Sequence, residues 1–87
     1  MNTISENDIK KIIKEVIYTI IGQKTTICLL ILENDFEVVG TSACVDKNNF
    51  NKEVGEKLAY EKAFEKIWEL EGYRLQFKIG EKQIWKT

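Results

Sequence analysis

The sequence contains no histidine, no proline and a single arginine, Arg74. Histidine is the side chain that most often serves as a general base and as a metal ligand near neutral pH. The two cysteines, Cys28 and Cys44, are isolated, whereas a structural zinc site takes four ligands and a disulfide framework takes several pairs. These absences argue against acid–base catalysis and metal binding. We therefore expect a protein that is not an enzyme and that needs no cofactor.

Long apolar runs and an excess of one charge are also missing. No apolar run approaches the ~18 residues of a membrane helix, and no secretory signal is visible, so we expect a cytoplasmic protein with no membrane contact. The net charge is −1. Non-specific binding to nucleic acid depends on an excess of lysine and arginine. The balance therefore argues against DNA or RNA as a partner.

The chain has 87 residues, which fits one domain over residues 1–87. A domain of this size buries a modest fraction of its surface. Its first segment, residues 5–22, is predicted to be a helix that begins at Ser5 and ends at Gly22. The segment carries apolar residues at helical spacing: Ile9, Ile12, Ile13, Val16, Ile17, Ile20 and Ile21. This apolar stripe needs a cover, which a second copy of the chain can supply.

Two β-branched runs follow and predict an antiparallel hairpin over residues 25–43. The run "TTICLLIL" is apolar throughout, as in a strand that is buried on both faces. In the simplest register Leu32 lies opposite Phe36, so Cys28 lies opposite Gly40. A glycine inside a strand indicates a bulge or a close approach of another backbone.

A second helix is predicted over residues 51–71, with Gly72 as its C-cap. Gly55, Ala59 and Ala63 recur every four residues and form a shallow strip against which another backbone can pack. The following "YRLQFKIG" alternates apolar and polar residues and predicts a strand, extended by a hairpin or a docked tail over residues 73–86. The expected fold is α+β, in the order α-β-β-α-β-β.

The segment "GTSACVDKNNF", residues 40–50, is unusually polar for its position between a strand and a helix. We call it the polar loop. The N-terminus of a helix offers free N–H groups to anions, and Arg74 can pair with a phosphate. The candidate ligand-binding residues are Thr41, Ser42, Asn48, Asn49, Phe50 and Arg74. The commoner role of Asp46, Asn48, Asn49 and Asn51 is to form turns and caps.

Three aromatic residues on the second helix leave a similar choice open. Tyr60, Phe64 and Trp68 recur every four residues beside the apolar positions. This spacing is usual for core or interface residues, and an exposed ladder of this kind can also stack on a purine.

The segment "CLLILENDFEVVGTSACVDKNNFNKEVGEKLAYEKAFEKIWELEGYRL", residues 28–75, resembles the gene-product 49/66-like family of small phage and prophage proteins. That family shows a C-V-L-T-L-x-N-G-F strand pair, a T-G-x-S-A-C-x-D-P-x-N-F loop, a G-x-x-x-A helix and an I-W-x-L-E-G-Y close. Two residues depart from its pattern. Asp35 stands where the family has glycine, and Lys47 stands where it has proline.

The resemblance implies a phage accessory protein that acts in the host cytoplasm. The chain is also similar to the Thoeris anti-defence sponges, oligomeric phage proteins that bind cyclic ADP-ribose isomers and, in some cases, cyclic oligonucleotides of CBASS defence. This likeness implies sequestration of a cyclic nucleotide by a homo-oligomer, either a dimer or a dimer-based hexamer. The alternative is an oligomeric interaction module that binds a host or phage protein through an apolar helix face.

Overall fold

The computed structural model describes residues 4–84, with side chains described for residues 4–79. The chain forms an α+β domain, which confirms the predicted class. In chain order the elements are α1 (Glu6–Ile12), β1 (Ile13–Ile21), β2 (Thr25–Leu32), β3 (Glu37–Ala43), a 3-10 helix (Lys47–Asn49) and α2 (Lys52–Ile84).

The three strands form one antiparallel sheet in the order β1-β2-β3. In the β2–β3 hairpin Cys28 lies opposite Gly40, as the sequence predicts. Leu32 N–H donates to the Phe36 carbonyl at 2.8 Å, which closes the hairpin at the predicted turn. β2 is buried on one face only, because its residues alternate between buried and half-buried. The prediction of a strand buried on both faces is therefore wrong for the single protomer.

The predicted first helix, residues 5–22, is also wrong beyond its first two turns. Ser5 does cap α1: its Oγ accepts from Asp8 N–H at 3.2 Å, and the Asp8 carboxylate accepts from Ser5 N–H at 2.9 Å. The hydrogen bond that the Ser5 backbone N–H donates to this carboxylate lowers the pKa of Asp8. The helix ends at Ile12, and the chain continues as β1.

β1 is a strand because its composition and its neighbour both favour one. The sequence "IKEVIYTII" is rich in β-branched residues, which lose less side-chain freedom in a strand than in a helix. Its backbone pairs with β2 along most of its length. Gly22, predicted as a helix cap, lies instead in the turn between β1 and β2, with φ of 71°.

α2 runs through the predicted stop at Gly72 and reaches Ile84, over 33 residues. Glycine weakens a helix by about 1 kcal/mol without ending it, and Arg74 pairs with Glu71 across the glycine at 3.1 Å. The predicted C-terminal strand is therefore wrong for residues 73–84, and residues 85–86 lie outside the described residues. Within residues 4–84 no strand follows β3.

Both helices pack on the same face of the sheet, and α2 approaches β3 closely at Gly40. A Cβ atom at Gly40 would overlap the carbonyl oxygen of Ala59 and the nitrogen of Ala63, and would lie 2.9 Å from the Ala63 Cα. The predicted strip of small residues on α2 is thus the surface that meets the sheet. The buried apolar core comprises Ile9, Cys28, Leu30, Leu32, Val38, Ala59, Ala63 and Ile67.

The two glycines predict opposite effects of the same substitution. Gly40→Ala is expected to lower the free energy of unfolding by about 1–3 kcal/mol, because the added methyl group meets helix backbone that cannot rotate away. Gly72→Ala is expected to raise it by about 0.5–1 kcal/mol, because nothing lies within 4 Å of the added methyl group. Urea denaturation of both variants checks the pair. Equal effects would contradict the close approach at Gly40.

Candidate functional site

The polar loop leaves the sheet at the end of β3 and is tied to the turn between β1 and β2. Cys44 N–H donates to the Lys24 carbonyl at 2.9 Å, which continues the strand ladder by one step. The Lys24 ammonium donates to the Val45 carbonyl at 2.8 Å. The Cys44 thiol donates to the Asp46 carbonyl at 3.0 Å. These contacts hold the first half of the loop against the sheet.

Two residues of this region serve as helix caps, which confirms the turn-and-cap interpretation for them. The Asp46 carboxylate accepts from Asn48 N–H at 3.0 Å and begins the 3-10 helix. The Asn51 side chain accepts from Val54 N–H at 3.2 Å at the start of α2. Their polar atoms are therefore engaged with the backbone.

A small cavity of about 140 Å³ lies between the polar loop, the end of β3 and the first two turns of α2. It brings together three of the predicted ligand-binding residues, Ser42, Asn49 and Phe50. Among the described residues the side chain of Asn49 has no hydrogen-bond partner, so its amide can bind a ligand. The other residues around the cavity are Lys24, Ala43, Cys44, Asn51, Val54, Gly55 and Leu58.

The structure places the other three predicted residues outside this cavity. Thr41 lies on the opposite face of β3 from Ser42, because side chains alternate along a strand. Asn48 is exposed on the 3-10 helix. Arg74 lies about 33 Å from the start of α2 at the ~1.5 Å rise per residue of a helix. Its guanidinium donates hydrogen bonds to the Glu71 carboxylate, which raise the pKa of Arg74.

Two residues near the cavity were not among the predicted ones. Lys24 is the one lysine among the residues that line the cavity. The predicted hairpin register could have found it, because one further pair beyond Thr25 and Ala43 brings Lys24 opposite Cys44. Thr26 is fully buried, and its hydroxyl has no partner among the described residues. It lies under α2, where a Cβ atom at Gly55 would come within 2.6 Å of the hydroxyl oxygen. The burial of Thr26 depends on helix packing, which the sequence does not reveal.

The chemistry around the cavity suits binding of an anion. The Lys24 ammonium and the Asn49 amide are donors, and the Phe50 ring offers an apolar surface. The N–H groups of Val54 and Gly55 at the start of α2 already donate to Asn51, so what the helix end adds is its partial positive charge. Cys28 lies in the core and not at the cavity. Burial raises the pKa of its thiol, so the thiol is protonated at neutral pH. Among the described residues no group of three or more histidine, cysteine, aspartate or glutamate side chains is arranged to hold a metal ion.

Two larger open cavities of about 500 and 510 Å³ flank α2, and both are less suited to an anion. The first is lined by three glutamates and one lysine, and the second by two glutamates and one lysine: Glu6, Glu61, Glu65 and Lys62 in the first, Glu37, Glu69 and Lys66 in the second. Carboxylates repel phosphate groups at such short range. The larger volume therefore does not make either of them the better candidate.

The aromatic ladder of α2 is mainly part of the core. The ring centroids of Tyr60 and Phe64 are 5.8 Å apart, and those of Phe64 and Trp68 are 6.3 Å apart. Tyr60 and Phe64 pack against the buried cluster, whereas Trp68 is 43% exposed.

None of the described helices is both long and apolar enough to cross a membrane.

Substitutions of Asn51 and Asn49 compare a side chain that caps a helix with one that makes no hydrogen bond within the described residues. Asn51→Ala is expected to lower the free energy of unfolding by about 1 kcal/mol, because Val54 N–H loses its acceptor. Asn49→Ala is expected to change it by less than about 0.5 kcal/mol, because the Asn49 amide makes no hydrogen bond within the described residues. Thermal and urea unfolding measure both, and a large loss of stability for Asn49→Ala would contradict the description of its amide as free.

Comparison with known proteins identifies relatives at the level of the family. Searches of the curated proteins and of the solved structures found no match. A family model matches residues 4–79, which is most of the chain. The protein therefore belongs to the Phage protein (N4 Gp49/phage Sf6 gene 66) family.

Proposed function

We propose that this phage protein sequesters a phosphate-bearing cyclic nucleotide in the host cytoplasm and does not cleave it. The observation that carries the proposal is the cavity beside the polar loop, where Ser42, Asn49 and Phe50 meet the N-terminal end of α2. The ligand class is a cyclic ADP-ribose isomer or a cyclic oligonucleotide, the signals of Thoeris and CBASS defence. Binding lowers the free concentration of such a signal and so protects the phage.

The local groups match the two halves of a nucleotide. The partial positive charge at the N-terminal end of a helix stabilises a phosphate without an excess of lysine. Asn49 and Ser42 add donors for phosphate oxygens or a base edge. The half-buried Phe50 ring provides a surface on which a base can stack.

The volume of the cavity argues for a second subunit in the complete site. Ligand pockets usually enclose about 300–1,000 Å³, and this cavity holds about 140 Å³. One protomer therefore contributes one wall, and the rest of the ligand contacts another copy in a homo-oligomer. Arg74 lies too far from the polar loop to contact the same ligand within one protomer, so a role for it requires that second copy.

Asn49 and Asn48 provide a matched test of the site. Asn49→Ala is expected to weaken binding of the cyclic nucleotide about ten- to a hundred-fold, because a hydrogen bond to a charged group contributes about 1.5–3 kcal/mol. Asn48→Ala is expected to leave the affinity unchanged, because Asn48 lies outside the cavity. Calorimetry against a panel of cyclic ADP-ribose isomers and cyclic oligonucleotides measures both variants.

The stability of each variant is the control for this comparison, since both asparagines are exposed and neither side chain hydrogen-bonds to the backbone of the described residues. If wild type binds no member of the panel, or if both variants bind as tightly as wild type, the polar loop is a structural cap and the proposal fails.

Sequestration further predicts that the ligand survives binding. The lining of the cavity contains no histidine, aspartate or glutamate, which are the commonest general bases. We expect the bound nucleotide to be recovered intact after the protein is denatured and the ligand is separated by chromatography. Product that increases with protein concentration and disappears in the Asn49→Ala variant would show turnover and contradict the prediction.

A second candidate function is an interaction module for a host or phage protein. The observation that favours it is the exposed apolar surface on α2, where Leu58 is 43% and Trp68 is 43% exposed beside an open cavity of about 500 Å³. The two functions predict different results for phage protection in infected cells. Ligand sequestration predicts that Asn49→Ala abolishes protection, and the interaction module predicts that Trp68→Ala does. Loss of protection with Trp68→Ala but not with Asn49→Ala would favour the interaction module.

A further inference from the structure

The cavity beside the polar loop contains a buried hydroxyl group without a hydrogen-bond partner. Ser42 is 9% exposed and lines the cavity, and none of the hydrogen bonds within the described residues involves its side chain. Buried polar side-chain atoms normally have a partner. The Ser42 hydroxyl is therefore a donor for a polar group that enters the cavity.

The Lys24 ammonium reaches the same cavity from the turn between β1 and β2. Cys44 N–H donates to the Lys24 carbonyl, so Lys24 and Ser42 are diagonal neighbours on the helix side of the sheet. Residues in this relation are about 7–8 Å apart, which a lysine side chain can span. One ligand group can therefore contact both the ammonium and the hydroxyl.

Lys24 can change its hydrogen-bond acceptor at low cost. Its ammonium donates to the Val45 carbonyl at 2.8 Å, and the salt bridges found among residues 4–79 do not include it. A phosphate oxygen is the stronger acceptor because it is charged. Val45 is 93% exposed, so its carbonyl can hydrogen-bond to water when the ammonium leaves.

The volume of the cavity admits one chemical group and not a whole nucleotide. A protein cavity of about 150 Å³ binds one benzene molecule, and this cavity measures about 140 Å³. Its lining contains one ammonium group and no carboxylate. The part of a nucleotide that suits it is therefore a phosphate group, with the rest of the ligand outside.

We propose that the cavity holds one singly charged phosphodiester group, with the Lys24 ammonium as its counter-charge and Ser42 and Asn49 as further donors. This inference rests on the proposed function, since it assigns a phosphate of the sequestered ligand to the cavity. It adds a preference among phosphate groups. A phosphodiester carries one negative charge, whereas a terminal phosphomonoester carries about 1.5 to 2 near pH 7.

The groups around the cavity compensate one negative charge and not two. Lys24 supplies one positive charge. The end of α2 adds at most about half a charge, and the N–H groups of Val54 and Gly55 there already donate to Asn51. A second negative charge on the ligand would lie uncompensated against apolar side chains, which is costly. The apolar side chains of the lining are Ala43, Phe50, Val54 and Leu58.

Two acidic residues beside the lining act in the same direction. Asp46 lies between Cys44 and Asn49 in the polar loop, and Glu53 lies in the first turn of α2. Repulsion from their carboxylates increases with the charge of the ligand. A cyclic nucleotide, in which every phosphate bridges two groups, therefore fits the cavity better than a linear product that ends in a phosphomonoester.

Lys24 and Lys52 provide a matched test with dimethyl phosphate, a singly charged diester. Lys24→Met is expected to weaken its binding about tenfold, because the ligand loses a hydrogen bond between charged groups. Lys52→Met changes the net charge equally and is expected to leave binding unchanged, because Lys52 is exposed at the start of α2 and does not line the cavity. NMR titration of the backbone amides measures the affinities, and circular dichroism checks that each variant folds.

The preference for a single charge is measured with methyl phosphate near pH 7. Wild type is expected to bind dimethyl phosphate several-fold more tightly than methyl phosphate. Methyl phosphate is the smaller of the two, so a limit on size would produce the opposite order. Equal or tighter binding of methyl phosphate would overturn the preference.

The outcomes distinguish this site from the proposed function. No saturable shift around the cavity in wild type, or equal effects of Lys24→Met and Lys52→Met, would overturn the phosphodiester site. A cyclic nucleotide that binds equally well to Lys24→Met would also overturn it and would leave sequestration in place. Dimethyl phosphate bound through Lys24, with no member of the cyclic nucleotide panel bound, would support the site and contradict the proposed function.

Discussion

The close contact between α2 and Gly40 determines where the rest of the structure lies. Because the strand has no side chain at Gly40, the helix backbone at Ala59 and Ala63 rests directly on β3. The helix therefore covers β2 and β3 and leaves β1 to one side, where Tyr18 remains 39% exposed although it points to the helix side of the sheet. The same contact sets the start of α2 beside the end of β3. The cavity at the polar loop is a consequence of that placement.

The parts of the fold that the sequence predicts are those that local chemistry determines. The hairpin register follows from the turn at residues 33–36, and the packing of α2 follows from its small residues. The first helix was not predictable in this way, because the isoleucines of residues 9–21 fit both a helical stripe and a β-branched strand. Only the pairing of β1 with β2 decides between them. Gly72 likewise resembles a helix stop, and no local signal in the sequence shows that the helix continues through it.

The two departures from the family pattern lie at a residue with positive φ and at the first residue of the 3-10 helix. Each position has another contact in the structure. Asp35, which replaces a glycine of that pattern, has φ of 67°, a conformation that glycine adopts at low cost. Its carboxylate pairs with Lys14 at 2.9 Å, so the side chain gains a contact with the start of β1. Lys47, which replaces a proline, is the first residue of the 3-10 helix, where proline is favoured because its missing N–H group is not needed. The Asp46 cap holds that turn without the proline.

The candidate site was predictable in position but not in composition. Ser42 and Asn49 line the cavity, whereas Thr41 belongs to the opposite face of the same strand. Adjacent residues of a strand cannot serve one pocket in one protomer, since their side chains point to opposite faces. The alternation of β3 thus divides the polar loop's first residues between two surfaces. One surface faces α2 and carries the candidate ligand site, and the other faces away from both helices. A role for Thr41 in the ligand site therefore requires a second copy of the chain, as a role for Arg74 does.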